Sequence, residues 1–196
     1  MKKNNLQMGD MPDILPKEYL IGGIKDLLRS GLPHGLDTGV SNLDDVFRLD
    51  LGRLAIITGV PNDGKSEFVD FLTTSYNKRY GLKTLYFSPE NQPLPLHLCK
   101  LVSKFTNKRF CKEQLSEADL QDVGEYIAGN FLFYNYDKVS SITRILDVAK
   151  SAIDNNGVKI LVIDSYNKVD SDKPNEMNET DFIGRFLDML CSFRKL

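Results

Sequence analysis

Residues 59–66, "GVPNDGKS", constrain this chain more than any other stretch. They fit the spacing G-x-x-x-x-G-K-[ST] and sit between an apolar run and a helix-like one. Gly59 and Gly64 let the backbone wrap closely, so that its N–H groups converge on an anion. A helix opening at Lys65 adds its positive dipole end. Lys65 supplies a point charge to the β- and γ-phosphates of a nucleotide, and the Ser66 hydroxyl reaches a magnesium ion. The predicted cofactors are ATP and Mg²⁺, held by Gly59, Val60, Pro61, Asn62, Asp63, Gly64, Lys65, Ser66 and Glu67. Asn62 tolerates positive φ better than most residues. Asp63 brings a negative charge to a phosphate site, so its carboxylate is expected to point outward. A strand-turn-helix junction with an incidental lysine is the plain alternative.

The chemistry of such a loop demands a strand before it and a helix after it. "GRLAIITGV" reads as the strand and Lys65–Tyr80 as the helix, with Phe68, Val69, Phe71 and Leu72 on its apolar side. "KTLYFSPE", "FLFYNY" and "VKILVID" read as three further strands. Helices are predicted over 17–32, 94–105, 116–128, 140–154 and 180–196, and a short one over "SNLDDVF". Ser41 with Asp44 and Ser116 with Asp119 form capping-box patterns. Strands alternate with helices, and the strands are apolar runs instead of alternating ones. That predicts an α/β fold with a mostly parallel central sheet covered on both faces. Residues 1–16 read as a flexible lead-in, 17–50 as a helical lead-in or linker, and 51–196 as the core.

A phosphate loop also needs a carboxylate at the end of a neighbouring strand to hold the hydrated metal. "ILVIDS" supplies Asp164. Hydrolysis needs a group that orients or deprotonates the attacking water. Glu90, at the end of "TLYFSPE", stands where a neighbouring strand delivers a carboxylate to the same edge. Position alone leaves Glu90 divided between that role and a solvated surface glutamate.

Composition narrows the classes. Hydrophobic residues make up 41% and charged residues 27% of 196, enough for one globular core. No apolar run approaches the roughly 18 residues of a membrane span, and the start has no apolar stretch behind its lysines. Three cysteines and two histidines in no paired spacing point away from a disulfide framework or a zinc site. A reducing cytoplasm is the expected location. The net charge of −2 points away from a protein that coats duplex DNA by bulk basicity, so any nucleic-acid contact must be local.

Three segments together carry a family likeness. "GLDTGVSNLDDVFRLDLGRLAIITGVPNDGKSEF", "LYFSPENQPLPLHLCKLVSKFTNKRF" and "ILVIDSYNKVD" resemble the helicase domain of DnaB-type replicative helicases, in the Twinkle-like and bacteriophage primase-helicase branch. The likeness runs from about Gly35 to the C-terminus, and S-P-E-N is more telling than the phosphate loop. It implies a RecA-like P-loop NTPase fold, a ring that is usually a hexamer, and ATP-driven movement on single-stranded DNA. It further implies Glu90 and Lys65 as catalytic residues, and Ser66 with Asp164 at the metal. The loop 165–178 falls where such helicases face DNA, with Lys168 and Lys173 as its basic residues. In the family a further strand, a sensor, a second DNA loop and an arginine finger follow. The chain is therefore expected to be a C-terminally truncated, aggregation-prone core that hydrolyses ATP poorly by itself, since such a finger is worth about 10³ to 10⁵ in rate. The alternatives are a RecA-like ATPase that does not unwind DNA and a non-catalytic nucleotide-binding or assembly module. A small-molecule kinase would want an arginine-rich lid, which the sequence does not offer.

Overall fold

The computed structural model describes residues 14–32, 34–135, 141–169 and 178–194. The chain divides into two units, 1–35 and 36–196. The first holds one helix, α1 (Lys17–Ser30), which begins after an extended Pro16 and ends at Gly31, whose φ of 80° only glycine adopts easily. The second unit opens at Leu36, ahead of Leu51, where the sequence pattern predicts the core to begin.

The second unit is α/β, with a three-stranded parallel sheet flanked by helices. Its elements run α2 (Ser41–Asp44), α3 (Lys65–Tyr80), β1 (Lys83–Phe87), α4 (Leu94–Thr106), α5 (Glu117–Asn130), β2 (Phe131–Phe133), α6 (Ile142–Asn156), β3 (Val158–Ile163) and α7 (Glu179–Phe193). The strand order is β2–β1–β3, so the strand that leads to Glu90 is central. Leu85 lies opposite Leu132 on one side and Leu161 on the other.

Period-two alternation along β1 sends its side chains to two cores. Tyr86 joins Leu101 and Val102 of α4 and Ile127 of α5. Leu85 packs with Ala149 and Ala152 of α6, and Phe87 with Ile145 of α6 and Phe186 of α7. Leu101 and Ile145 retain no exposed surface, and each such burial is worth about 1.5–3 kcal/mol. A strand covered on both faces reads as a continuous apolar run, and β1 does.

Three expectations are corrected. Residues 53–59 form no strand, and Ile56 and Ile57 are 66% and 39% exposed. An apolar run shows β-propensity, but a strand exists only where a partner's N–H and C=O groups meet it. Among the described residues β3 is paired on one side only, with β1. The second correction concerns Asp44, which does not box with Ser41. Its carboxylate accepts from Thr38 N–H (2.5 Å), Thr38 Oγ1 (2.7 Å) and Gly39 N–H (3.2 Å), locking the "DTG" turn. These are three donors against the one a cap would satisfy. By contrast, Ser116 and Asp119 do form their reciprocal box. Third, the buried side of α3 is largely polar: Asp70, Thr73, Thr74 and Asn77 lie inside, while Phe68 is exposed.

The turn at 36–49 is fixed to the rear of α3. Leu36 and Leu49 exchange backbone hydrogen bonds (2.6 and 3.0 Å). Ser75 Oγ donates to Thr38 O, and Asp37 N–H donates to Tyr80 Oη (3.0 Å).

Candidate functional site

The phosphate-loop motif folds as a tight turn into α3. Asn62 adopts φ 67° and Gly64 φ 80°, so left-handed residues flank Asp63. Gly64 is the N-cap of α3 and contributes no side chain to the first-turn amides. Those amides are thus left for another acceptor. A Cβ on Gly59 would lie 3.7 Å from Lys65 Cδ, within the space the lysine stem occupies. Lys65 Nζ donates to Val60 O across the loop (2.7 Å), leaving two of its three donors uncommitted. Asp63 is exposed, and its Oδ2 hangs 3.8 Å from where a Gly59 Cβ would stand. The Glu67 side chain is held elsewhere, by Lys100 (2.9 Å) and Lys104 of α4. Burial raises its pKa, but the two lysines outweigh that and hold the carboxyl below its ordinary value. Any part of Glu67 in phosphate binding therefore falls to its backbone N–H.

The second half of the site lies beyond the carboxyl ends of β1 and β3. Asp164 N–H donates to Phe87 O (2.8 Å), extending the ladder one residue past β3. This brings Asp164-Ser165 alongside the Ser88-Pro89-Glu90-Asn91 turn. Asn91 closes that turn with its N–H on Ser88 O (3.1 Å). The two protons of its amide nitrogen reach Ser88 Oγ (2.6 Å) and Asp164 Oδ2 (3.3 Å). Ser165 Oγ donates to Glu90 Oε1 (2.9 Å) and also contacts the side chain of Asn167. A hydroxyl has one proton, so it serves Glu90 when Asn167 presents its nitrogen.

The structure thus brings Glu90 and Asp164 together through Ser165 and Asn91. No hydrogen bond or ion pair joins Lys65 or Ser66 to either carboxylate. Lys168 is exposed in the 3₁₀ turn Tyr166–Lys168, and Lys173 lies outside the described residues. Sequence reasoning passed over Ser165 and the role of Asn91. Both stand beside marked residues, in "IDS" and "SPEN", yet their contacts span 73 and 75 residues and have no local signal.

No protein-family model matches the chain. It is 32% identical over 173 residues to the Twinkle homolog protein, chloroplastic/mitochondrial, of Arabidopsis thaliana, a match covering 83% of this chain and 24% of that protein. The chain is a homologue of Twinkle/DnaB-like helicases. A second relative, the probable plasmid replicative DNA helicase of Chlamydia psittaci, is 28% identical over 168 residues, or 80% of this chain and 36% of that one. This helicase homologue therefore spans about a quarter to about a third of the length of the curated relatives it matches. Among its described residues no helix is long and apolar enough to cross a membrane.

Proposed function

We propose that this chain is the motor segment of an ATP-dependent DNA helicase, coupling ATP hydrolysis to movement along single-stranded DNA. The observation that carries this is the joined edge of β1 and β3, where two separate hydrogen bonds, Ser165 to Glu90 and Asn91 to Asp164, tie the two carboxylate-bearing turns to each other. Two carboxylates beyond adjacent parallel strands suit a site at which one orients water and the other supports a metal. The loop 59–66 supports the phosphate role through its uncapped helix start and the free donors of Lys65.

Magnesium fits the residues present. Ser66 Oγ and Asp164 Oδ1 have no hydrogen-bond partner among the described residues, and an oxygen-seeking cation takes such donors. When bound, the ion would offset the charge of the phosphates. Glu90 accepts the proton of the attacking water, and Lys65 steadies charge on the phosphates. Lys168 and Lys173 contact the DNA backbone from the loop 165–178, and copies of the complete protein assemble as a hexameric ring. The three free thiols suit a reducing, cytoplasm-like compartment.

The test is Mg-ATP hydrolysis with and without single-stranded DNA. Lys65→Ala is expected to lose nucleotide binding. Glu90→Gln should keep binding but lose turnover by about 10²- to 10⁴-fold. Turnover unchanged in Glu90→Gln would remove the motor assignment. Binding with no turnover in the unaltered chain, DNA present or absent, would make it a nucleotide-binding module.

A further inference from the structure

Behind the candidate site lies a group of buried polar side chains that the proposed chemistry does not use. Asp70 of α3, His97 of α4 and Tyr86 of β1 are each at most 2% exposed, and Thr73 is 3% exposed. His97 Nε2 and Tyr86 Oη both lie 3.0 Å from the same oxygen, Asp70 Oδ1. Thr73 Oγ1 lies 2.6 Å from Tyr86 Oη. Tyr86 Oη donates to that oxygen, and His97 Nε2 donates to it in the tautomer that carries a proton there. The rings reinforce this arrangement: Tyr86 meets His97 edge-on at 4.9 Å and stacks on Phe133 at 5.6 Å with 7° between planes.

The three elements joined here are those that carry the site. Asp70 stands four residues after Ser66, about 6 Å along the axis of α3. Tyr86 stands four residues before Glu90, and His97 six residues after Asn91. One oxygen atom therefore ties the helix of the phosphate loop to the strand that enters the Ser88–Asn91 turn and to the helix that leaves it. Apolar packing would hold these elements together without fixing their sliding or rotation. Two directional hydrogen bonds converging on one buried atom fix both. Asp70 Oδ2 makes no hydrogen bond. Mere satisfaction of the carboxylate would spread the donors over both oxygens; here they converge.

We propose that Asp70, His97 and Tyr86 are positioning residues that hold the Glu90-bearing turn in register with the phosphate loop. This rests on the nucleotide assignment above for its meaning in turnover, though not for the geometry of the turn. Three variants of the full chain test it. Tyr86→Phe removes only the hydroxyl, His97→Leu keeps volume but loses the donor, and His97→Gln returns an amide nitrogen near the position of Nε2. With ATP, Tyr86→Phe and His97→Leu should lower kcat by about 10²-fold, the scale of a misplaced reacting group, with KM nearly unchanged. His97→Gln should recover most of the loss.

Amide hydrogen exchange supplies a reading independent of ATP. The Asn91 N–H, which closes the turn, should exchange about tenfold faster in Tyr86→Phe and His97→Leu. The Gly81 N–H, bonded to Asn77 O at the far end of α3 (2.8 Å), should not change. Unchanged exchange at Asn91, or equal acceleration at Asn91 and Gly81, would overturn the proposal. So would wild-type kcat in both variants, or a failure of His97→Gln to restore it. If the unaltered chain neither binds nor hydrolyses ATP, the nucleotide assignment falls, and exchange at Asn91 alone decides whether the network holds the turn.

Discussion

The two faces of the sheet are built differently. Toward α6 and α7, Phe87 packs with Ile145 and Phe186, and Leu85 with Ala149, in clusters dominated by apolar side chains. Toward α3 and α4, Leu101 and Val102 share the interior with Asp70, Thr73 and His97. Apolar contact is non-directional and supplies stability in proportion to buried area. A buried polar network adds little net stability, yet it selects one arrangement of its atoms. The polar face is also the one that carries α3, which opens at the phosphate loop, and α4, which follows the Ser88–Asn91 turn. Stability and positioning are thus assigned to opposite sides of the same three strands.

The strongest way to break this comparison is on the apolar side. Phe186→Ala should lower the unfolding free energy by about 3–5 kcal/mol, read from the urea midpoint. The exchange rate of Asn91, measured in water where the fold persists, should not move. A loss below about 1 kcal/mol would deny the apolar face its share.

On the polar side, Asp70→Ala should cost about 3 kcal/mol, because the donors of His97 and Tyr86 are left unpaired in a dry site. Replacing both Asp70 and His97 by Leu should recover much of that loss, as buried polar groups exchanged for apolar ones often do. Equilibrium unfolding of both variants measures it. If the double variant is no more stable than the single, the network contributes stability outright and the contrast between the faces weakens.

The smallest effect is absent near neutrality and appears only in alkali. Burial, with Asp70 adding to it, pushes the Tyr86 hydroxyl well above its ordinary value, and burial pushes Tyr76 up to about 12. Unfolded tyrosines ionise near about pH 10, so above that the unfolded state binds fewer protons than the fold. Stability is therefore complete below about pH 10 and falls as pH rises through the folded values. Unfolding followed by tyrosinate absorbance should show this, with a shallower slope in Tyr86→Phe. An equal slope in that variant would mean Tyr86 titrates as an exposed phenol does.

Much of this was legible in the sequence. The helix from Lys65 to Tyr80, the three paired strands and the Ser116–Asp119 box follow from periodicity and capping chemistry, which are local. "GRLAIITGV" failed as a strand because pairing belongs to the partner as much as to the run itself. Asp164 and Glu90 could be marked from their places at strand ends. That Ser165 and Asn91 join them could not, since hydroxyl and amide contacts across a sheet leave no periodic trace. The buried side of α3 was misread for a related reason. Apolar spacing points to Phe68, whereas Asp70 and Thr73 are inside because partners on β1 and α4 accept or supply their hydrogen bonds.

The exposure of Phe68 gives the molecule a useful optical property. The chain has eight tyrosines and no tryptophan, so its native emission contains no indole component. Phe68 is 37% exposed in the first turn of α3, and its N–H donates to Gly64 O (2.9 Å). A tryptophan at that position would be the sole indole of the protein, standing one helical turn from the lysine loop and half in water. Its colour and quenching would report on the loop alone, against a silent background.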